Sequence, residues 1–182
     1  MKVLTYAILG LLNRTPMTGY DISKAFNHEL AKFWHAKHSQ IYGELKSMFS
    51  DGLVTYDIEI SGDILEKKRY SITNAGHQAL MQWLHKDEPI EKTAKDVFRV
   101  RMYFSSYLDL PTRIHLLENQ RMQHLERLHV LQKTMEQYPQ VPPLNSDRFG
   151  DFIVLEGAIE RQEGMLRWID RCIGYCRNGE RE

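Results

Sequence analysis

The chain has 182 residues, 42% hydrophobic and 26% charged, and its 24 Lys+Arg balance 24 Asp+Glu to a formal net charge of zero. Bulk charge therefore gives no support to nucleic-acid binding, and any such site has to come from local clustering. No apolar run approaches a bilayer span, the N-terminus lacks a signal-peptide layout, and there are just two cysteines, Cys172 and Cys176; a cytoplasmic, reducing location is expected.

Residues 3–12, VLTYAILGLL, are nearly all apolar yet too short to cross a membrane. They predict a buried helix with Leu4, Ile8, Leu11 and Leu12 toward the core. Residues 13–17 break it. Thr18 then caps a second helix, with Asp21 placed to complete a capping box. That helix is expected from about residue 19 to 33 or 34, with Tyr20, Ile22, Phe26, Leu30 and Phe33 as its apolar stripe.

After a short connection, Ser39 is expected to cap a third helix over HSQIYGELKSMFS, residues 38–50. Ile41, Leu45, Met48 and Phe49 fall on one side. Ser39, Tyr42, Gly43, Lys46 and Ser50 fall on the other, flanked by Gln40 and Ser47. Amides and hydroxyls on such a face can read base edges in a major groove while Lys holds phosphate. Alone, the face is better read as an ordinary solvated surface. Three short helices thus occur in order, the last two joined by a short turn, which is the helix-turn-helix arrangement in which the later helix enters the groove.

Asp51-Gly52 ends the third helix. Residues 53–60 and 65–72 alternate with period two around a turn at 61–63, which predicts a β-hairpin. Its second arm carries Lys67, Lys68 and Arg69. Such a run can protect an exposed strand edge or reach DNA phosphates. Beside the preceding helices the DNA reading is favoured, and the whole is a winged helix-turn-helix. Thr73 caps a fourth helix through Leu84, and Pro89 marks a boundary between domains at 1–89 and 90–182.

The second half is helical, so the fold class is mainly α with a small β-hairpin wing. Residues 96–108 form a helix dense in apolar side chains, among them Val97, Phe98, Met102, Tyr103 and Phe104, with Arg99 and Arg101 as its cations. It is either core or the wall of a pocket. In the second case Phe98, Met102 and Tyr103 enclose a ring, Arg99 or Arg101 pairs with a carboxylate, and Tyr6 of the first helix faces them. Pro111 opens a long helix to about Tyr138. Residues 147–175 form another, with Phe152, Leu155, Ile159, Leu166, Ile169, Ile173 and Cys176 as a coiled-coil-like seam interrupted by Gln162. Narrow stripes on two long helices imply a partner surface, most simply a second copy.

The YAILGLL segment, Thr18-Gly19-Tyr20-Asp21-Ile22, Phe33-Trp34, Lys37 to Tyr42, Glu44-Leu45 and Leu65-Glu66-Lys67-Lys68 resemble the PadR family of bacterial transcriptional regulators. Lys95-Asp96 and Phe149 with the helix after it extend the resemblance over nearly the whole chain. It implies a homodimeric repressor of a phenolic acid decarboxylase gene, bound to palindromic operator DNA and released by a hydroxycinnamate such as p-coumarate or ferulate. The family's groove-reading positions map onto Ser39, Gln40, Tyr42 and Lys46, and its wing contacts onto Lys67 and Lys68. A sensor of a drug or other hydrophobic compound, or a protein-interaction module without DNA binding, are the alternatives.

Of the eight histidines, His35 and His38 are three apart across a predicted turn, and His115, His124 and His129 share a helix without the i, i+4 spacing of a ligand pair, so surface or interface roles are favoured over metal. Cys172 and Cys176, four apart on one helix face, suit apolar packing better than a soft-metal site. There is no phosphate-binding Gly-rich loop, nucleophile elbow or catalytic triad. No enzyme and no cofactor are expected.

Overall fold

The computed structural model describes residues 1–28, 30–32, 34–61, 65–90 and 95–179. Phe33 and the hairpin turn residues Gly62 and Asp63 lie outside the described residues, as do the side chains of Leu65 and Glu66. The chain divides into two compact units, Met1–Pro89 and Ile90–Glu182.

In the first unit, α1 (Val3–Arg14) is followed by β1 (Met17–Thr18), α2 (Gly19–His28), a 3₁₀ turn at Leu30–Lys32, α3 (His38–Ser50), β2 (Val54–Ser61), β3 (Leu65–Ile72) and α4 (Asn74–Leu84). β2 and β3 pair antiparallel from Val54↔Ile72 to Ser61↔Leu65. β1 adds a short third strand through Met17↔Tyr70 and Thr18↔Arg69, so the sheet order is β1-β3-β2. The core is where the apolar stripes meet: Ile8 and Leu9 of α1, Ile22 and Phe26 of α2, Ile41 and Leu45 of α3 are all at most 1% exposed. Each such side chain contributes about 1.5–3 kcal/mol by leaving water.

Two caps fix helix starts. The Thr18 hydroxyl accepts from Asp21 N at 3.2 Å, while the Asp21 carboxylate accepts from Thr18 N at 3.1 Å. The Thr18 hydroxyl also donates to that carboxylate and, as the largest cause, holds Asp21 below the usual carboxylate range. Thr73 Oγ1 accepts from Gly76 N at 3.1 Å and donates to Gly52 O at 2.7 Å, which ties the start of α4 to the turn that ends α3. Gly52 makes that turn at φ +70°, a conformation that glycine adopts without a Cβ penalty.

Several sequence expectations are corrected. α2 stops at His28 rather than running to residue 33 or 34. Tyr20, expected on its apolar stripe, is 67% exposed, because the buried face turns through Ile22, Ala25 and Phe26. Leu4 is half-buried, and Leu9 takes the core position. Ser39 does not cap α3: the N-cap is Lys37, and Gln40 Oε1 accepts from Lys37 N at 2.8 Å.

The second unit contains α5 (Val97–Tyr103), a 3₁₀ turn at Ser105–Tyr107, α6 (Leu110–Met135) and α7 (Asp147–Asn178). Asp109 accepts from Thr112 N at 2.7 Å, with Pro111 in the first turn of α6. α6 and α7 run antiparallel: Leu117 packs with Ile169 and Ile173, and Leu131 packs with Leu155 and Ala158. Between these layers His124 Nδ1 meets Gln162 Oε1 at 2.6 Å, which places the polar interruption of the seam opposite a polar partner. The seam therefore packs largely against α6 of the same chain. Met122, Leu125, Val130, Ile153 and Tyr175 of the long helices stay exposed. α5 ends at Tyr103 instead of continuing to Leu108, and no residue in it is buried. Carbonyls of the connection accept from Arg113, Ser105 O at 2.8 Å and Leu108 O at 3.3 Å.

Candidate nucleic-acid interface

α3 has two chemically distinct sides. Ile41, Leu45 and Met48 are at most 1% exposed, while Ser39, Gln40, Tyr42, Gly43, Lys46 and Ser47 face solvent. Gln40 commits its side-chain oxygen to the start of the helix and keeps its NH₂ as donors for a partner. The Tyr42 ring stacks on the His38 ring with centroids 4.3 Å apart. The outer face thus offers hydroxyl, amide and phenol groups beside the Lys46 ammonium, a set able to hydrogen-bond base edges and hold phosphate.

The one carboxylate in mid-helix is turned the other way. Glu44 is 9% exposed, accepts from the Thr5 hydroxyl, and lies 3.3 Å from Lys2 Nζ. A buried carboxylate needs such donors. The contact also fixes α3 against α1 and keeps negative charge off the exposed side. Sequence reasoning does not assign Glu44 this role, although position 44 falls on the same helical stripe as Ile41, Leu45 and Met48.

The wing basic run splits into three roles. Arg69 pairs with Glu59 and donates to Pro16 O at 3.0 Å. The Glu59 hydrogen bond raises the Arg69 pKa, and Arg69 lowers that of Glu59. Arg69 therefore ties β3 to β2 and to the chain leading into β1. Lys68 is exposed on the side of the sheet that carries Tyr70, with Nζ 4.2 Å from the Tyr56 ring centroid. Tyr56 also packs on Phe49 of α3 at 4.8 Å, so these rings link the end of α3 to the wing. Phe49, expected on the buried side of α3, is 47% exposed at this junction. Lys67 is exposed, cross-strand from Glu59, on the opposite side of the hairpin from Lys68. Adjacency in sequence groups Lys67 and Lys68 as one contact set; strand alternation separates them.

The residues expected around a small ligand are distributed between the two units. Tyr6 stacks on Trp83 at 4.8 Å and 5° in the first unit. In the second, Phe98 meets the Trp168 ring edge-on at 6.0 Å, and Met102 joins the same apolar cluster. Arg99 pairs with Asp96 at 3.2 Å and its Nη2 lies 3.7 Å from Met165 Sδ. Arg101 and Tyr103 are exposed. Cys172 and Cys176 are half-buried free thiols packed against Leu117, Ile169 and Ile173, and burial pushes the Cys172 thiol up. Among the described residues no group of three or more His, Cys, Asp or Glu could hold a metal ion, and no helix is long and apolar enough to cross a membrane.

Residues 8–82 match the transcriptional regulator PadR-like family, and residues 94–177 match the virulence activator alpha C-terminal family. The chain is 40% identical over 173 residues to the negative transcriptional regulator PadR of Bacillus subtilis, covering 93% of this chain and 95% of that one. The chain belongs to the PadR-like family. Among solved structures, Bacillus subtilis PadR in complex with operator DNA matches with TM-score 0.92 and 39% identity, over 96% of this chain and 99% of that one. The same protein in complex with p-coumaric acid matches with TM-score 0.87 and 36% identity, over 97% and 99%. The two family matches together take in both halves of the chain, and the solved PadR structures span both.

Proposed function

We propose that this chain is a cytoplasmic, homodimeric repressor of a phenolic acid decarboxylase gene, released from its operator by a hydroxycinnamic acid. The observation that carries the reading is the exposed face of α3, with Ser39, Gln40, Tyr42 and Lys46 outward and the Glu44 carboxylate turned inward. The solved PadR complexes with operator DNA and with p-coumaric acid support it, because those two ligand classes are what a repressor and its inducer require. The Bacillus subtilis relative is a regulator, in keeping with a chain that acts by binding rather than by catalysis.

In this reading Ser39, Gln40 and Tyr42 contact base edges, and Lys46, Lys67 and Lys68 contact phosphate. One helix face is a small reading surface. Two copies related by a two-fold axis place two such faces about 34 Å apart, matching palindromic half-sites one turn apart. The effector is a flat aromatic ring carrying a carboxylate. Phe98 and Met102 supply an apolar surface for the ring, with Tyr103 as a further aromatic partner, and Arg99 or Arg101 pairs with the carboxylate. Induction is a population shift: the acid binds more tightly to a dimer whose α3 helices are wrongly spaced for the operator.

Linkage makes this reciprocal. Operator DNA weakens p-coumarate binding by the factor by which p-coumarate weakens operator binding, about 5- to 150-fold for ordinary coupling. Calorimetric titration of p-coumarate into the free protein and into its operator complex measures both. Unequal affinities with that ratio are expected. Equal affinities, together with an operator complex that persists in saturating p-coumarate, contradict the proposal.

A further inference from the structure

The start of α2 comes unusually close to the outer face of α3. A Cβ added to Gly19 would lie 2.8 Å from Tyr42 Cζ, 2.9 Å from Cε1 and 2.9 Å from the phenol oxygen. Side chains do not tolerate such distances, so Gly19 leaves the space that the Tyr42 ring occupies. The ring also stacks on His38, with centroids 4.3 Å apart and planes 29° from parallel. Tyr42 is nevertheless 41% exposed, so the contacts restrain a ring that still has an open surface.

We propose that Gly19 and His38 are positioning residues for Tyr42, setting its phenol in one place on the exposed face of α3 before DNA arrives. The inference rests on the reading of that face as the DNA contact and adds a specificity device to it. A surface tyrosine otherwise samples several rotamers, and ordering a side chain on binding costs conformational entropy. Packing on Gly19 and His38 meets part of that cost in the free protein. Gly19 itself touches no base in this scheme, and neither its Cα nor its backbone carries charge. Its contribution is the missing methyl group.

The prediction is asymmetric between folding and binding. In Gly19→Ala the new methyl meets the far end of a side chain, which can swing away into solvent. Melting is therefore expected to change by no more than a few degrees, whereas the phenol is displaced. Operator affinity is expected to fall about tenfold, the scale of one misplaced base contact, while affinity for unrelated duplex and the salt slope stay as in the parent. His38→Ala, which introduces no clash, is expected to produce a smaller loss of the same kind.

A double-mutant cycle with Tyr42→Ala, read by fluorescence anisotropy on operator and on scrambled DNA, decides it. Supporting outcomes are a loss in Gly19→Ala that vanishes in the Tyr42→Ala background, with His38→Ala showing the same dependence. Equal losses in both backgrounds, or no loss from Gly19→Ala or from His38→Ala while Tyr42→Ala binds weakly, overturn the positioning role. If Tyr42→Ala binds operator like the parent, the reading of Tyr42 as a DNA contact fails and takes this proposal with it. The two failures are therefore told apart by the single Tyr42 variant.

Discussion

Gly76→Ala is expected to destabilise the N-terminal unit by about 3 kcal/mol or more, at the upper end of what an overfilled core site costs. A Cβ at Gly76 would sit 2.1 Å from the carbonyl oxygen of Leu53 and 3.0 Å from side-chain atoms of Leu9 and Ile72. The obstructing atom is backbone, so nothing can rotate aside. Relief requires moving α4 away from the turn after α3, which also breaks the Thr73 bridge to Gly52 O and Gly76 N. For a unit of this size a loss of that order lowers the melting temperature by about 12–24 °C. Differential scanning calorimetry of the variant checks it, and a melting temperature within a few degrees of the parent would show that the helix and the turn are not locked together as described.

The double variant Gln40→Ala/Tyr42→Ala is expected to lose about 100-fold in operator affinity, from two base contacts worth about 1–3 kcal/mol each. Its affinity for unrelated DNA should be nearly unchanged, because Lys46, Lys67 and Lys68 remain to neutralise phosphates. Part of the cost belongs to the free protein. The Gln40 side chain also accepts from Lys37 N at 2.8 Å, so its removal loosens the first turn of α3 by some tenths of a kcal/mol to about 1. Competition anisotropy with operator and scrambled duplex separates the two contributions. Equal loss on both DNAs would mean that the outer face acts by charge or stability and does not read sequence.

What the sequence alone makes legible depends on the range of the interactions. The α3 helix with Ile41, Leu45 and Met48 inward, the Thr18–Asp21 cap and the two arms of the hairpin follow from local pattern, and the structure has them there. β1 escapes such reading because a strand of two residues, Met17–Thr18, has no period to detect and exists through pairing with Tyr70 and Arg69. The role of Arg69 is hidden for the same reason: its partners, Glu59 and Pro16 O, come together only when three separate segments form one sheet. Glu44 gives a misleading signal because a charged residue on a helix is ordinarily solvated, although its position on the apolar stripe is visible. Tyr20 misleads in the opposite sense, as an aromatic residue that remains exposed. The long seam of α7 is recognisable but its partner is not, since periodicity reports that a stripe needs covering and not which helix covers it. The close approach of Gly19 to Tyr42 leaves no sequence signal beyond the glycine itself.

If two copies of the α3 face grip one duplex at the pitch of the double helix, affinity must depend on the separation of the half-sites. The most direct test is the affinity of the full chain for a series of operators whose half-sites are moved apart by zero, about five and about ten base pairs. Binding that drops by about two orders of magnitude at half a turn, recovers in part at a full turn and saturates at two chains per duplex is the predicted result. Affinity indifferent to spacing, or saturation at one chain per duplex with selectivity intact, would contradict it.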